Sequence, residues 1–176
     1  MTLAAITLAC GGEVAPEPVP APMRAMPHAV RLALGATFSC VIDRERHVWC
    51  WGELPAEIEG VAPPDRTRRP HEITRMRGAI EIAASATTLC ARTADHRVLC
   101  WGEDAPAGGD EPRGPREVRG LEGTRSLAVG RNGVCAVRGQ ALRCIAQNQA
   151  PDRGEVPAGA TLLSVGGAIC AVDGVG

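Results

Sequence analysis

Cysteine is the residue whose number and spacing in this sequence most directly suggest chemistry. The chain of 176 residues contains eight cysteines. Six of them form three local pairs, which are Cys40 with Cys50, Cys90 with Cys100, and Cys135 with Cys144. So many thiols in a chain of this length indicate metal or redox chemistry in a reducing compartment and disulfides in an oxidising one. The spacing within the pairs decides between these two uses.

An antiparallel hairpin would place the two members of each pair opposite one another. With Cys40 facing Cys50, successive pairs close on the loop 44–46, and the same count leaves 94–96 in the second hairpin. The third pair is one residue closer and leaves the loop Gly139-Gln140, whose leading glycine is typical of a type II′ turn. Directly opposed, non-hydrogen-bonded residues have Cα atoms about 4.5 Å apart, which is compatible with a disulfide. The spacing therefore predicts one disulfide in each hairpin.

Metal binding is the alternative use of these cysteines. Zinc sites commonly space their cysteines about two to four residues apart and add histidines. Here nine or eight residues separate the two members of a pair, and the four histidines do not recur in phase with the cysteines: His28, His47, His71 and His96. The spacing favours disulfides over a metal centre. Cys170 has no partner at a matching distance within the sequence.

The cysteine pairs lie within an internal repeat. Four segments can be superposed, namely 32–53, 82–103, 127–148 and 163–176, and their leading cysteines are 50, 45 and 35 residues apart. Apolar residues alternate at the start of each unit, which is typical of a half-buried strand. We expect strands near 30–35, 37–42 and 47–51, near 80–84, 87–92 and 97–101, and near 125–129, 133–138 and 141–145. Short fourth strands are expected at 72–74 and 117–119.

The first strands carry the residues expected to join the units. The alternating apolar side chains on these strands should face neighbouring units: Leu32, Leu34, Ile80, Ile82, Leu127 and Val129. Trp51 and Trp101 end their hairpins and are interpreted as packing residues rather than as ligand-stacking platforms.

Composition excludes several kinds of function. The formal net charge is −1 and the sequence has no lysine, so neither a broad basic surface for nucleic acid nor a Schiff-base lysine is expected. The sequence lacks GxSxG, HExxH, Walker and GxGxxG motifs. Other polar groups are interpreted as turn or solvated-loop residues: Asp43, Asp95 and Asp173, the pair His71-Glu72, and the cluster Arg66, Arg68 and Arg69. We therefore predict no catalytic residue, no metal site and no cofactor.

The N-terminus has a pattern of its own. Met1 to Ala9 is apolar, Cys10 follows, and 11–29 is rich in proline. We interpret 1–10 as the remnant of a bacterial lipoprotein signal, with Cys10 as the lipidated residue, and 11–29 as a semi-rigid tether. An imperfect lipobox at 7–10 and the missing basic region leave open the alternative of an unstructured start with a free thiol. The apolar stretch is too short to span a bilayer as a helix.

The repeat resembles that of the regulator of chromosome condensation family. The motif Cys-Trp-Gly occurs in phase at 50–52 and 100–102, and a glycine or serine stands five residues before each leading cysteine in the first three units. The sequence is most similar to the bacterial, secreted, cysteine-containing branch of that family. It departs from the family pattern at the position two residues before the leading cysteine, at the turn residues Arg46 and His96, and at Ile145-Ala146, which replaces Trp-Gly.

This resemblance implies an all-β fold, a partial and open β-propeller of about three blades plus the start of a fourth. The expected units are 30–78, 79–122, 123–158 and 159–176. Three blades of a seven-bladed family fold would form an open arc with a bare flank, which invites self-association.

The function implied is an extracytoplasmic, non-catalytic binding module, either a lipoprotein of the bacterial cell envelope or a secreted protein. A protein partner is expected, because family examples bind a small GTPase or a β-lactamase. Nucleic acid is not expected as a partner, and membrane contact is expected only through the lipid. The alternatives are a truncated or degenerate propeller fragment without independent function and, disfavoured by the missing motifs, a propeller-based enzyme.

Overall fold

The computed structural model describes residues 28–54, 69–102, 105–106, 114–131, 133–146, 152–165 and 168–172. Within these ranges the protein is all-β, with fourteen strands and one short 3-10 turn at Thr74–Met76. The predictions for Cys10, Arg66, Arg68 and Asp173 concern residues outside the described ranges. The described part of the chain contains no helix long and apolar enough to span a membrane.

The strands form four successive antiparallel sheets, which we call blades 1 to 4. Blade 1 contains β1 (Ala29–Leu34), β2 (Phe38–Asp43), β3 (Val48–Gly52) and β4 (His71–Glu72). Blade 2 contains β5 (Ala79–Ala84), β6 (Thr88–Thr93), β7 (Val98–Gly102) and β8 (Arg116–Glu117). Blade 3 contains β9 (Ser126–Gly130), β10 (Gly133–Arg138), β11 (Ala141–Ala146) and β12 (Asp152–Glu155). Blade 4 contains β13 (Thr161–Val165) and β14 (Ala168–Val172).

Each blade is a meander in which strands adjacent in the chain are adjacent in the sheet. The first strands of successive blades lie side by side, β1 beside β5, β5 beside β9 and β9 beside β13. This arrangement places the first strands on the inner side of an arc. The sheets do not close into a ring, so the molecule is a partial propeller.

An apolar core fills each of the three joints between consecutive blades. At every joint, the face of one blade that carries the paired cysteines packs against an aliphatic residue on the first strand of the next blade. The residues on the receiving side are Ile82, Leu127 and Leu162. Alternation along a strand sends neighbouring side chains to opposite joints: Ala83 packs toward blade 3, whereas Ile82 packs toward blade 1.

The hairpin registers are those predicted from the cysteine spacing. Cys40 pairs with Cys50, Cys90 with Cys100, and Cys135 with Cys144. The two three-residue loops end at Arg46 and His96, each with φ 65°, and Gly139 begins the two-residue loop with φ 63°. A single positive φ, at the first loop residue, is the requirement of the predicted type II′ turn.

The fourth strands of blades 1 and 2 begin one residue earlier and end two residues earlier than predicted. The fourth strands end at Glu72 and Glu117, although 72–74 and 117–119 were expected. The backbone N–H groups of Ile73 and Val118 still donate to Val48 and Val98, but each chain leaves its sheet beyond that bond. In blade 4, the residue equivalent to Ile82 and Leu127 is Leu162, because Leu163 pairs with Cys170 as Ala33 pairs with Cys40. The superposition of the fourth repeat on the others, which began at Leu163, was therefore displaced by one residue.

The expected burial of the first strands is correct for blades 2 and 3 and wrong for blade 1. Ile82, Leu127 and Val129 are buried, and Ile80 is half-buried. In contrast, Leu32 is 59% exposed and Leu34 is 62% exposed. The physical reason is that no other blade in the described chain covers the outer face of blade 1.

Candidate functional site

The cysteine pairs are structural disulfides. Cys40–Cys50, Cys90–Cys100 and Cys135–Cys144 are bonded, with Cα–Cα distances of 4.2, 4.1 and 4.0 Å. Cys40, Cys50 and Cys90 are fully buried in the joints. A buried disulfide has no thiolate with which to attack a substrate or ligate a metal. These six cysteines therefore staple the hairpins, and among the described cysteines only Cys170 is free, at an exposed position.

Cys-Trp-Gly reflects a close approach between two strands. Gly52 adopts φ +97°, and a Cβ there would lie 2.3 Å from the carbonyl oxygen of Thr37. Gly102 adopts φ +134°, and a Cβ there would lie 2.2 Å from the carbonyl oxygen of Thr87. Both contacts are far shorter than van der Waals separation, so these positions require glycine. The glycine of the motif is thus required by the close packing of the two strands.

The two motif tryptophans differ in burial. Trp101 is 2% exposed and packs in the joint between blades 1 and 2, as expected for a packing residue. Trp51 occupies the equivalent place in blade 1 and is half-buried, because its face of the blade is the uncovered one. The difference in burial between Trp51 and Trp101 shows how far a neighbouring blade covers the tryptophan side chain.

Asp43 is a buried carboxylate at the first hairpin turn. It accepts hydrogen bonds from the Trp49 Nε1–H and from the backbone N–H of His47, both at 2.8 Å. Burial raises the pKa of Asp43, but these hydrogen bonds outweigh it and the net pKa is lowered. Thr93 stands at this place in blade 2 and accepts from the backbone N–H of Arg97. Asp43 therefore holds a turn, as the sequence predicted for the recurring aspartates.

The pair His71-Glu72 forms β4 rather than a loop. Glu72 accepts two hydrogen bonds from the guanidinium of Arg77, and these lower the pKa of its carboxyl group. Arg69 lies at the surface. Within the described ranges, no group of three or more His, Cys, Asp or Glu side chains is placed to hold a metal ion.

Hydrogen bonds between the inner strands of consecutive blades, which we call the polar lock, were not predicted from the sequence. The backbone N–H of Leu127 in blade 3 donates to Glu81 Oε1 of blade 2 at 3.0 Å, and that of Leu162 donates to Ser126 Oγ at 2.8 Å. Arg92 Nε donates to the other Glu81 oxygen at 2.7 Å and orients the carboxylate. The available signal was a polar residue directly before each inner aliphatic residue. Glu81 and Ser126 differ in chemistry, which hid their shared role.

Exposed apolar side chains are concentrated at the two ends of the arc. In the described part of the chain, the exposed large hydrophobic residues are Val30, Leu32, Leu34 and Val172. The first three lie on β1 and the last on β14. We call the outer face of β1 the blade 1 flank, and the outer face of β14 the blade 4 flank.

The tips of the β2–β3, β6–β7 and β10–β11 hairpins form a second exposed surface, which we call the tip face. Two of them are anchored to the following linker: the N–H of Gly78 donates to the Arg46 carbonyl at 2.9 Å, and the N–H of Gly123 donates to that of His96 at 3.2 Å. Arg44, Arg46 and Arg138 are exposed there. The tip face is thus a charged surface on which two of the three hairpins are hydrogen-bonded to the following linker.

No protein-family model and no curated protein matches this sequence. Solved structures do share its fold. Human WBSCR16 superposes with a TM-score of 0.67 at 12% identity, over 85% of this chain and 45% of its own. Yeast RCC1 (Prp20), solved bound to Kap60, gives 0.67 at 18% identity, over 86% of this chain and 43% of its own. The CRINKLY WD40 ectodomain of the Arabidopsis thaliana receptor kinase ACR4 gives 0.52 at 20%, over 85% and 47%.

These likenesses concern the fold, because every identity is at or below 20%. This chain spans less than half the length of each of the three structures. The chain therefore has the fold of an RCC1-like β-propeller, present as an open arc of three four-stranded blades and two strands of a fourth.

Proposed function

We propose that this protein is an extracytoplasmic, non-catalytic module that binds another protein through the tip face. The observation that carries the proposal is that each of the three hairpins forming this face is held by a disulfide. Rigid loops lose little conformational entropy when they bind, which favours recognition. Yeast RCC1, which shares the fold, is solved in complex with the protein Kap60 and supports a protein as the class of partner.

The disulfides support an oxidising compartment as the site of action. Cys10 supplies the proposed lipid anchor, and the proline-rich segment 11–29 would hold the blades away from the membrane. Such an arrangement leaves the tip face free to meet a partner in the cell envelope.

The charge of the tip face indicates the partner's surface. Arg44, Arg46 and Arg138 form no ion pair with a described residue, whereas Arg97 beside them pairs with Asp95 at 2.7 Å. Unpaired guanidinium groups bind carboxylates readily, often through two hydrogen bonds. An acidic patch on the partner fits this face best.

A matched pair of substitutions in blade 3 tests this proposal. Arg138 lies at the tip, and Arg131 lies at the opposite end of the same blade. Purified protein immobilised by its C-terminus should capture a protein from an extracytoplasmic extract saturably. Arg138→Glu should weaken that binding at least ten-fold, and Arg131→Glu should leave it within two-fold.

Equal weakening by both substitutions would contradict the tip face as the binding surface. Absence of any saturable partner would instead favour the alternative, a propeller fragment without independent function.

A further inference from the structure

The first hairpin places an imidazole against a buried carboxylate. His47 Nδ1 lies 3.3 Å from Asp43 Oδ2, within the distance of an ion pair. The side chain of Asp43 is 1% exposed, whereas that of His47 is 34% exposed. The imidazole can therefore exchange protons with the solvent, while salt screens the carboxylate beside it only weakly.

The carboxylate of Asp43 is held in place and stays charged where histidine titrates. Its two oxygens accept hydrogen bonds from the backbone N–H of His47 and from the Trp49 Nε1–H, both at 2.8 Å. Burial raises the pKa of Asp43, but these hydrogen bonds outweigh it and the net pKa is lowered. Histidine side chains in general change charge between about pH 5 and pH 8. Proton uptake by His47 therefore converts its contact with Asp43 into an ion pair.

The other charged groups near His47 are either occupied or exposed. Glu72 on β4 is also close enough for its carboxylate to feel the charge of His47, but its main partner is Arg77, which donates two hydrogen bonds to it. The remaining charged residues of the loop are exposed to solvent: Arg44, Glu45 and Arg46. Among the described residues, Asp43 is therefore the buried carboxylate that a charged His47 meets.

This arrangement is specific to the first hairpin. The equivalent positions in blade 2 hold Thr93, Arg97 and Leu99 in place of Asp43, His47 and Trp49. Arg97 donates to Asp95 at 2.7 Å, and arginine keeps its charge throughout this pH range. The second hairpin therefore has a polar turn whose charges do not depend on a histidine at this position.

We propose that the first hairpin is a pH-sensitive element, in which proton uptake by His47 forms an ion pair with Asp43 and holds the hairpin tip more firmly. The same proton adds one positive charge to the tip face beside Arg44 and Arg46. A bond made by the protonated histidine stabilises the fold at mildly acidic pH and is lost as the pH rises. The proposal goes beyond the proposed function and does not depend on it.

Urea unfolding at pH 5.5 and pH 7.5, with the disulfides intact, tests this proposal. Acidification should lower the equilibrium constant of unfolding about two-fold or more in the wild type relative to His47→Gln, the size of one partly exposed ion pair. His96→Gln is the matched control, because His96 lies exposed in the second hairpin and forms no ion pair with a described residue. It should respond to pH as the wild type does.

A double-mutant cycle assigns the effect to the pair. Asp43→Asn keeps an oxygen that accepts the Trp49 Nε1–H, and in this background His47→Gln should no longer change the response to acidification. If Asp43→Asn does not fold, the comparison of wild type with His47→Gln still decides whether His47 confers the pH response.

Three outcomes overturn the proposal. An equal response of wild type and His47→Gln shows that His47 does not stabilise the fold on protonation. An effect of His47→Gln that persists in Asp43→Asn assigns the response to another group, such as Glu72. An equal effect of His96→Gln shows that any histidine produces it. None of these measurements needs a binding partner, so their failure is distinct from a failure of the proposed function.

Discussion

The glycine of Cys-Trp-Gly lies where the second and third strands of a blade approach too closely for a Cβ atom. In blades 1 and 2 the glycine is on the third strand, at Gly52 and Gly102. In blade 3 that place is taken by Ala146, and the residue opposite it is Gly133. A Cβ on Gly133 would lie 2.4 Å from the Ile145 carbonyl oxygen. Blade 3 therefore meets the same close approach with its glycine on the other strand.

The substitution Gly52→Ala should destabilise the fold by about 1–3 kcal/mol more than Gly159→Ala, because overpacking adds to the backbone strain. Both glycines have positive φ, +97° and +83°, but a Cβ on Gly159 would meet nothing within 4 Å. Urea unfolding at pH 7 measures the two free energies. Equal losses would show that strain alone, and not the approach to Thr37, requires the glycine.

Asp43 should make stability depend on pH at the acidic end. Its pKa is lowered in the folded state, so its contribution is fully present above the unfolded value of 3.8 and is lost as pH falls through the folded pKa. Asp43→Asn should remove this part of the pH dependence. Asp43→Ala should also cost about 1–3 kcal/mol at neutral pH, since the Trp49 Nε1–H loses its acceptor.

Melting temperatures between pH 2 and pH 6 check the Asp43 prediction. Glu45→Gln, an exposed change in the same turn, serves as the control. If Asp43→Asn follows the wild-type curve, the carboxylate does not stabilise the turn.

At the scale of the element, local spacing determined most of what could be predicted. The hairpin registers, the loop lengths and the type II′ turn of the third hairpin followed from the distance between paired cysteines and the turn residues, because register and loop length fix one another. The fourth strands were predicted to begin one residue late and to end two residues late, because a two-residue strand has too little pattern to define its ends. The blade 4 superposition began one residue late because Leu162 and Leu163 are both leucines, and only the pairing of Leu163 with Cys170 shows that Leu162 is the equivalent of Leu32.

A bare flank was expected from the resemblance, but the polar lock and the exposure of Leu32 and Leu34 depend on contacts between blades, which a single sequence does not display. Alternation showed that Leu32 and Ile82 share a face, yet only the order of the blades decides which of them is covered. In the same way, the role of Glu81 depends on the position of Leu127 in the following blade. The strands of each blade could therefore be predicted from the sequence, whereas the contacts between blades could not.

Removing a hairpin disulfide tests directly whether that disulfide stabilises its hairpin. The double substitution of Cys90 and Cys100 by alanine should lower the free energy of unfolding by about 2–3 kcal/mol, the chain-entropy value for a loop of this length. Urea unfolding measures the loss, and the alanine double variant of Cys135 and Cys144 provides a second hairpin of nearly equal loop length. Unchanged stability in both would mean that the disulfides do not restrain the hairpins.

At the scale of the whole molecule, the blades resemble a short repeat array. In the described part of the chain the extensive contacts between blades join consecutive blades, so stability is close to a sum of blade and joint terms. Blades 2 and 3 are covered on both faces, whereas blades 1 and 4 are each covered on one. Leu32 and Val172 are exposed because they lie on these uncovered faces.

The proposed lipid anchor at Cys10 would place the whole molecule at a membrane. Native protein should sediment with membranes, and Cys10→Ser should release it into the soluble fraction. Cys170→Ser is the control, since it removes a thiol without affecting a lipid-bearing position. Wild-type protein recovered soluble with Met1 intact would contradict lipidation and remove the anchor from the account.

The most direct test of the account is non-reducing peptide mapping of protein isolated from the oxidising compartment. Stapled propeller blades predict the links Cys40–Cys50, Cys90–Cys100 and Cys135–Cys144 and no link between different blades. Cys10 and Cys170 should fall outside these links. Cross-links between hairpins, or full reactivity of all eight thiols, would contradict both the blade architecture and the compartment in which it is proposed to act.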